Sequence, residues 1–148
     1  MATLQSDAVK AARPSITPDG SGEVYSVRGK VDLAAALALN DVIELVKLPA
    51  GCVPVDFTSD IDDLDSNATP TLAMSIGFTA GTVAEFRAAG ALGQSAGLVR
   101  MDSVLAPRVA PTEADRAVGM KVTTAPATGA TSGTIGFTLF YRAANFGG

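Results

Sequence analysis

Few residues in this chain have the types and spacing that chemistry needs. Gly93-Gln94-Ser95-Ala96-Gly97 spells the Gly-x-Ser-x-Gly of a nucleophile elbow, a strained strand-to-helix turn that presents a serine to a histidine base. The chain has no histidine, and Gly90-Ala91-Leu92 is a poor strand, so the motif reads as a glycine- and serine-rich loop. Asp60-Ile61-Asp62-Asp63-Leu64-Asp65-Ser66-Asn67 is the densest set of oxygen donors. Calcium wants roughly six to eight oxygens, with glycine at the sharp turn of an EF-hand loop. Here Leu64 stands at the fifth position and Asp65 at the sixth, so that spacing fails. A carboxylate pair for glycoside hydrolysis lacks aromatic platforms beside it. A solvated acidic hairpin between two strands is the reading these residues favour. Cys52, flanked by apolar residues after a Pro-Ala-Gly turn, reads as a small hydrophobe and not a nucleophile. Gly20-Ser21-Gly22 reaches Tyr25 where a dinucleotide fingerprint needs glycine, and Gly29-Lys30 has neither the first glycine nor the hydroxyl of a phosphate loop. No enzyme is expected, and no cofactor or metal.

The counts narrow the field further. The 148 residues include no histidine, no tryptophan and one cysteine. That excludes Ser-His-Asp triads, Cys-His dyads, the common zinc ligand sets and an intrachain disulfide. A net charge of −4 removes the electrostatic motive for nucleic acid. Seven of the acids fall within residues 41–65, against Lys47 alone. No window approaches the roughly 18 apolar residues of a membrane helix. The first ten residues lack the pattern of a secretory signal, and one unpaired cysteine suits synthesis in a reducing cytoplasm.

Period-two alternation supplies the elements. Tyr25, Val27, Gly29 and Val31 share one parity, and residues 42–48 form a strand closed by the Pro49-Ala50-Gly51 turn. Val53, Val55, Phe57, Ser59 and Ile61 alternate with Pro54, Asp56, Thr58 and Asp60, with Pro54 marking a sheet edge. Leu72, Met74, Ile76 and Phe78 form the inward side of a further strand, and Leu98 to Met101 a short one. Thr82 and Glu85 make a capping box that predicts a helix over 82–89, stopped by Gly90. Residues 32–37 are equally readable as a helical turn or a strand entry. Val118, Met120, Val122 and Thr124 lead through a Gly- and Thr-rich loop to Ile135, Phe137, Leu139 and Tyr141, which predicts a C-terminal antiparallel hairpin. Phe140 then faces outward among Thr134, Gly136, Thr138 and Arg142. Residues 1–22, poor in large apolar side chains and closed by prolines and a turn cluster, predict an arm outside the core, with a short helix over 5–12 as the weaker reading. The expectation is an all-β protein: an antiparallel, jelly-roll-like β-sandwich over 23–144, with an N-terminal arm over 1–22, a short tail over 145–148 and at most one or two short helices.

Leu33-Ala34-Ala35-Ala36-Leu37-Ala38-Leu39-Asn40-Asp41-Val42-Ile43-Glu44-Leu45 with Leu48-Pro49-Ala50-Gly51, Asp63-Leu64-Asp65-Ser66-Asn67 leading into Thr71-Leu72-Ala73-Met74-Ser75-Ile76-Gly77, and Gly133-Thr134-Ile135-Gly136-Phe137-Thr138-Leu139-Phe140-Tyr141 together resemble small structural proteins of tailed bacteriophages that decorate or cement the capsid. The resemblance implies a virion protein, made in the host cytoplasm, that binds major capsid protein subunits on the outside of the shell. It implies a homodimer or other homo-oligomer there, with no nucleic acid or membrane partner. Contacts are then expected from Val9, Lys10 and Arg13 of the arm and from Phe140 and Phe146. The alternative is a receptor- or carbohydrate-binding jelly-roll module of a phage fibre or tail.

Overall fold

A computed structural model describes residues 1–10 and 23–144. In chain order the elements are β1 (Thr3–Gln5), α1 (Asp7–Lys10), β2 (Tyr25–Asp32), β3 (Val42–Leu48), β4 (Cys52–Ile61), β5 (Ala73–Phe78), β6 (Arg87–Gly90), β7 (Gly97–Arg100), a 3-10 turn at Ala106–Arg108, β8 (Arg116–Thr124) and β9 (Thr134–Ala143). They form two sheets, one ordered β1-β3-β8-β5-β6 and the other β2-β9-β4-β7. All pairings are antiparallel except β1 with β3. The all-β sandwich expected from the alternation is the fold observed.

The inward parities meet between the sheets. Ile135, Phe137, Leu139 and Tyr141 of β9 are fully buried, as are Val118, Met120 and Val122 of β8. Phe57 stacks on Phe137 at 5.0 Å and on Phe86 at 6.1 Å, and Phe86 meets Phe78 edge-on at 5.2 Å. Those four rings join the two sheets. Pro54 lies, as expected, in the half of β4 that β7 does not reach, because β7 pairs only with Thr58 to Ile61.

Five expectations need correction. Residues 118–141 do not make a hairpin: β8 sits inside the five-stranded sheet and β9 inside the four-stranded one. Alternation reports which face is buried and is blind to the partner strand. The helix over 82–89 is absent. Thr82 Oγ1 does donate to Glu85 (3.1 Å), yet the same carboxylate accepts the N–H groups of Phe78 (3.0 Å) and Ala84 (3.1 Å), folding a turn instead. Val83 takes φ 56° in that turn, Phe86 goes into the core and β6 follows. Long-range aromatic packing outweighs local helix preference. In β4 a bulge between Pro54 and Asp56 moves Cys52 and Pro54 onto the inward parity of Phe57, Ser59 and Ile61, and turns Val55 outward. Of residues 32–37, Asp32 ends β2 and 33–37 form neither a helical turn nor a strand, although Leu33 and Leu37 are buried.

The fifth correction concerns the arm, of which residues 11–22 lie outside the described residues. Residues 2–10 belong to the sandwich. β1 extends the five-stranded sheet beyond β3, and α1, which falls within the expected 5–12 helix, lies against β2 of the other sheet. Ser6 sits at the corner, fully buried: its N–H donates to Glu44 O (2.7 Å), and its Oγ donates to Leu45 O. Asp7 accepts the N–H of Lys30 (2.9 Å), capping the β2 edge. Gly29 makes this closure possible, since a Cβ there would run into Leu45 O and Ser6. The N-terminal segment thus clips the two sheets together along one side.

Candidate interface surfaces

The catalytic readings find no support in the geometry. Ser95 is exposed in the turn before β7, and Gln94 donates to Leu72 O (2.8 Å), tying that turn to the fold. Cys52 is buried, and burial, helped by Asp115, raises its thiol pKa. Among the described residues no three His, Cys, Asp or Glu side chains gather as a metal site, and no helix is long and apolar enough to cross a membrane.

The acidic loop is not a solvated hairpin. It carries the chain from β4 to β5 in the opposite sheet, and its carboxylates are tied to backbone. Asp62 accepts the Thr134 N–H (2.8 Å) and Asp63 the Asp65 N–H (3.2 Å). Asp65 is 1% exposed and accepts N–H groups from Thr71 (2.7 Å), Leu72 (3.0 Å), Ala127 (2.9 Å) and Thr128 (2.9 Å). Burial alone would raise its pKa, but those four donors hold it well below the ordinary carboxylate range. Asp65 therefore fastens the 62–72 crossover to the 125–130 crossover. A dense run of aspartates in sequence gives no sign that one of them is a buried knot.

Two surfaces remain. A groove of about 400 Å³ runs beside β1, bordered by Leu4, Lys10, Val31, Asp32, Leu37 and Asp41. Val9 is half-buried in α1 and Lys10 is exposed on the groove's rim. Asp41 holds the end of β1 in place by accepting the N–H groups of Ala2 (2.8 Å) and Ala38 (2.8 Å).

The second surface is the outer face of the four-stranded sheet. Phe140 points outward as the alternation predicts, paired in register with Ser26 on β2 and Asp56 on β4. Arg28 makes a two-pronged bond to Asp60 across β9 (2.7 and 2.9 Å) and reaches Thr138 Oγ1 (3.3 Å). That bond raises the Arg28 pKa and lowers that of Asp60. Lys30 pairs with Asp32 (2.9 Å), Asp32 also accepts from Thr134 Oγ1 (2.8 Å), and Arg100 pairs with Asp56. Of the five expected contact residues, Val9 and Lys10 lie on α1 and Phe140 on β9, while Arg13 and Phe146 lie outside the described residues.

No family model matches the chain, and no curated protein matches it. Among solved structures, a chain from the capsid of Ralstonia phage GP4 is 38% identical at a TM-score of 0.87, over 96% of this chain and 98% of that one. This chain belongs to a family of phage capsid proteins. A chain in the cyanophage Pam1 capsid asymmetric unit is 25% identical at a TM-score of 0.71, over 88% of this chain and 94% of that one. A chain from the acid-stable capsid of Helicobacter pylori bacteriophage KHP30 shares the fold, at 18% identity and a TM-score of 0.50, over 82% of this chain and 95% of that one. A structural role in a phage virion follows from this membership.

Proposed function

We propose that this protein is a decoration, or cement, protein that binds the outside of an assembled phage capsid and stabilises the mature shell, with no enzymatic activity. The observation that carries the reading is the end-to-end likeness to a capsid chain of nearly the same length. It is supported by a compact sandwich whose N-terminal residues pair with β3 and cap the Lys30 N–H of β2 within the same chain. Its partners are major capsid protein subunits and further copies of itself. Val9, Lys10 and Arg13 of the N-terminal 22 residues, together with Phe140 and Phe146, supply the contacts. A protein that binds only the mature shell lowers that state's free energy by mass action, and many copies on one lattice multiply a modest single-site affinity.

Purified protein mixed with preassembled shells that lack it, followed by sedimentation and negative-stain imaging, tests this reading. Saturable binding to the outer surface at a fixed ratio to the capsid protein is the expected result. Incorporation only when the protein is present during shell assembly would assign it to the lattice instead.

A further inference from the structure

Gly136 occupies the middle of β9, a strand with neighbours on both sides. Glycine in a strand interior loses backbone entropy and side-chain packing, and it marks a bulge, a bend or the close approach of another body. No register shift occurs at Gly136, which pairs with Lys30 and Asp60. What the missing side chain permits is for the Arg28–Asp60 pair to lie flat on the strand: a Cβ would collide with the guanidinium and with both carboxylate oxygens. Both partners are about half exposed, at 52% and 49%, and such a pair adds little to the stability of an isolated domain. A strand-interior glycine is poorly explained by that small gain. It is explained by a face that must be flat.

Charge on this face is arranged in strips about β9. On one side, β2 presents Arg28 and Lys30, followed at its end by Asp32, which pairs with Lys30; on the other, β4 presents Asp56 and Asp60, with Arg100 of β7 beyond it paired to Asp56. Phe140 lies on the central strand. The β4 bulge turns Val55 out beside it at 39% exposure, and Val24, just before β2, is 55% exposed. A two-fold axis along β9, in the plane of contact, lays β2 of one copy over β4 of the other. Lys30 then faces Asp60, Arg28 lies near Asp56, and Phe140 meets Phe140.

We propose that the outer face of the four-stranded sheet is a two-fold contact with a second copy of this chain. The proposal rests on the reading that copies form a homo-oligomer and names the face that does it. Isologous contacts need a surface complementary to itself, which opposite strips on either side of a central aromatic provide.

Sedimentation velocity over a concentration series, with the intact chain, reads the assembly state. The wild type is expected to dimerise. Phe140→Ser and Gly136→Gln should each weaken the dimer by at least about tenfold while keeping a cooperative melt, as loss of an anchor residue does. Thr138→Cys, on the proposed axis, should be joined to its copy by a short bis-maleimide, since packed sheets lie roughly 10 Å apart; the native Cys52 is buried. The cross-link decides the matter even where the other variants fold poorly. A chain monomeric at every concentration overturns the proposal. So does a dimer that Thr138→Cys does not link, or a Thr138→Cys chain that links to shell subunits in place of its copy. Shell binding is read separately, so a monomer that still decorates shells removes this face and leaves the decoration role standing.

Discussion

Replacing Asp65 by Asn keeps the shape of the side chain but turns one acceptor oxygen into a donor facing backbone N–H groups. Charge-assisted bonds of this kind are the strong ones, so Asp65→Asn should lower the melting temperature by about 5 °C or more in a domain of this size. Because the folded pKa lies below the unfolded value, the stabilisation is complete above the ordinary carboxylate range and is lost as pH falls through it. The wild type should therefore lose stability steeply below about pH 4, and Asp65→Asn should show a shallower acid limb. A variant that melts with the wild type would remove the knot. Tyr141 has the opposite sign: burial first, then the Cys52 and Tyr25 charges, pushes its phenol up to about 12. Its contribution is present below about pH 10 and lost as pH rises from there toward 12. Absorbance titration of the two tyrosines should show one that ionises only as the fold gives way; two phenols titrating together without unfolding would contradict this. Asp65 was invisible in the sequence because its four donors come from segments far apart in the chain, whereas Tyr141 was legible from its parity alone.

The N-terminal clip belongs to the scale of elements. Deleting residues 1–10 removes β1, uncovers the β3 edge and takes the Asp7 cap from β2. The remaining sandwich should fold but melt roughly 5–10 °C lower, given the few degrees that each kcal/mol is worth in such a domain. Amide hydrogen exchange should speed up at Lys30 and along β3, and an unchanged pattern there would show that the clip does not close the edge. Inward parities on β2, β5, β8 and β9 were readable because burial imposes period two directly. Partners were not. The 118–141 run alternates as a hairpin would, yet its loop changes sheets. Thr82 and Glu85 pair as a capping box should, yet Phe86 is pulled into the ring stack and a turn replaces the helix. The same held for the candidate surfaces: the outward position of Phe140 follows from the strand, but the flat ion pair over Gly136 depends on three strands meeting.

For the whole molecule, decoration makes a thermodynamic demand beyond mere binding. A protein that attaches only to the mature shell must raise that shell's stability by an amount that grows with the logarithm of its free concentration once sites begin to fill. The measurement that tests this most directly is the melting temperature of shells lacking the protein, recorded across a titration with the purified chain. A shell transition that climbs with added protein, beginning at the concentration where sedimentation shows attachment, is the expected result. A shell that melts at one temperature at every concentration, with the protein bound to saturation, would contradict the cement role.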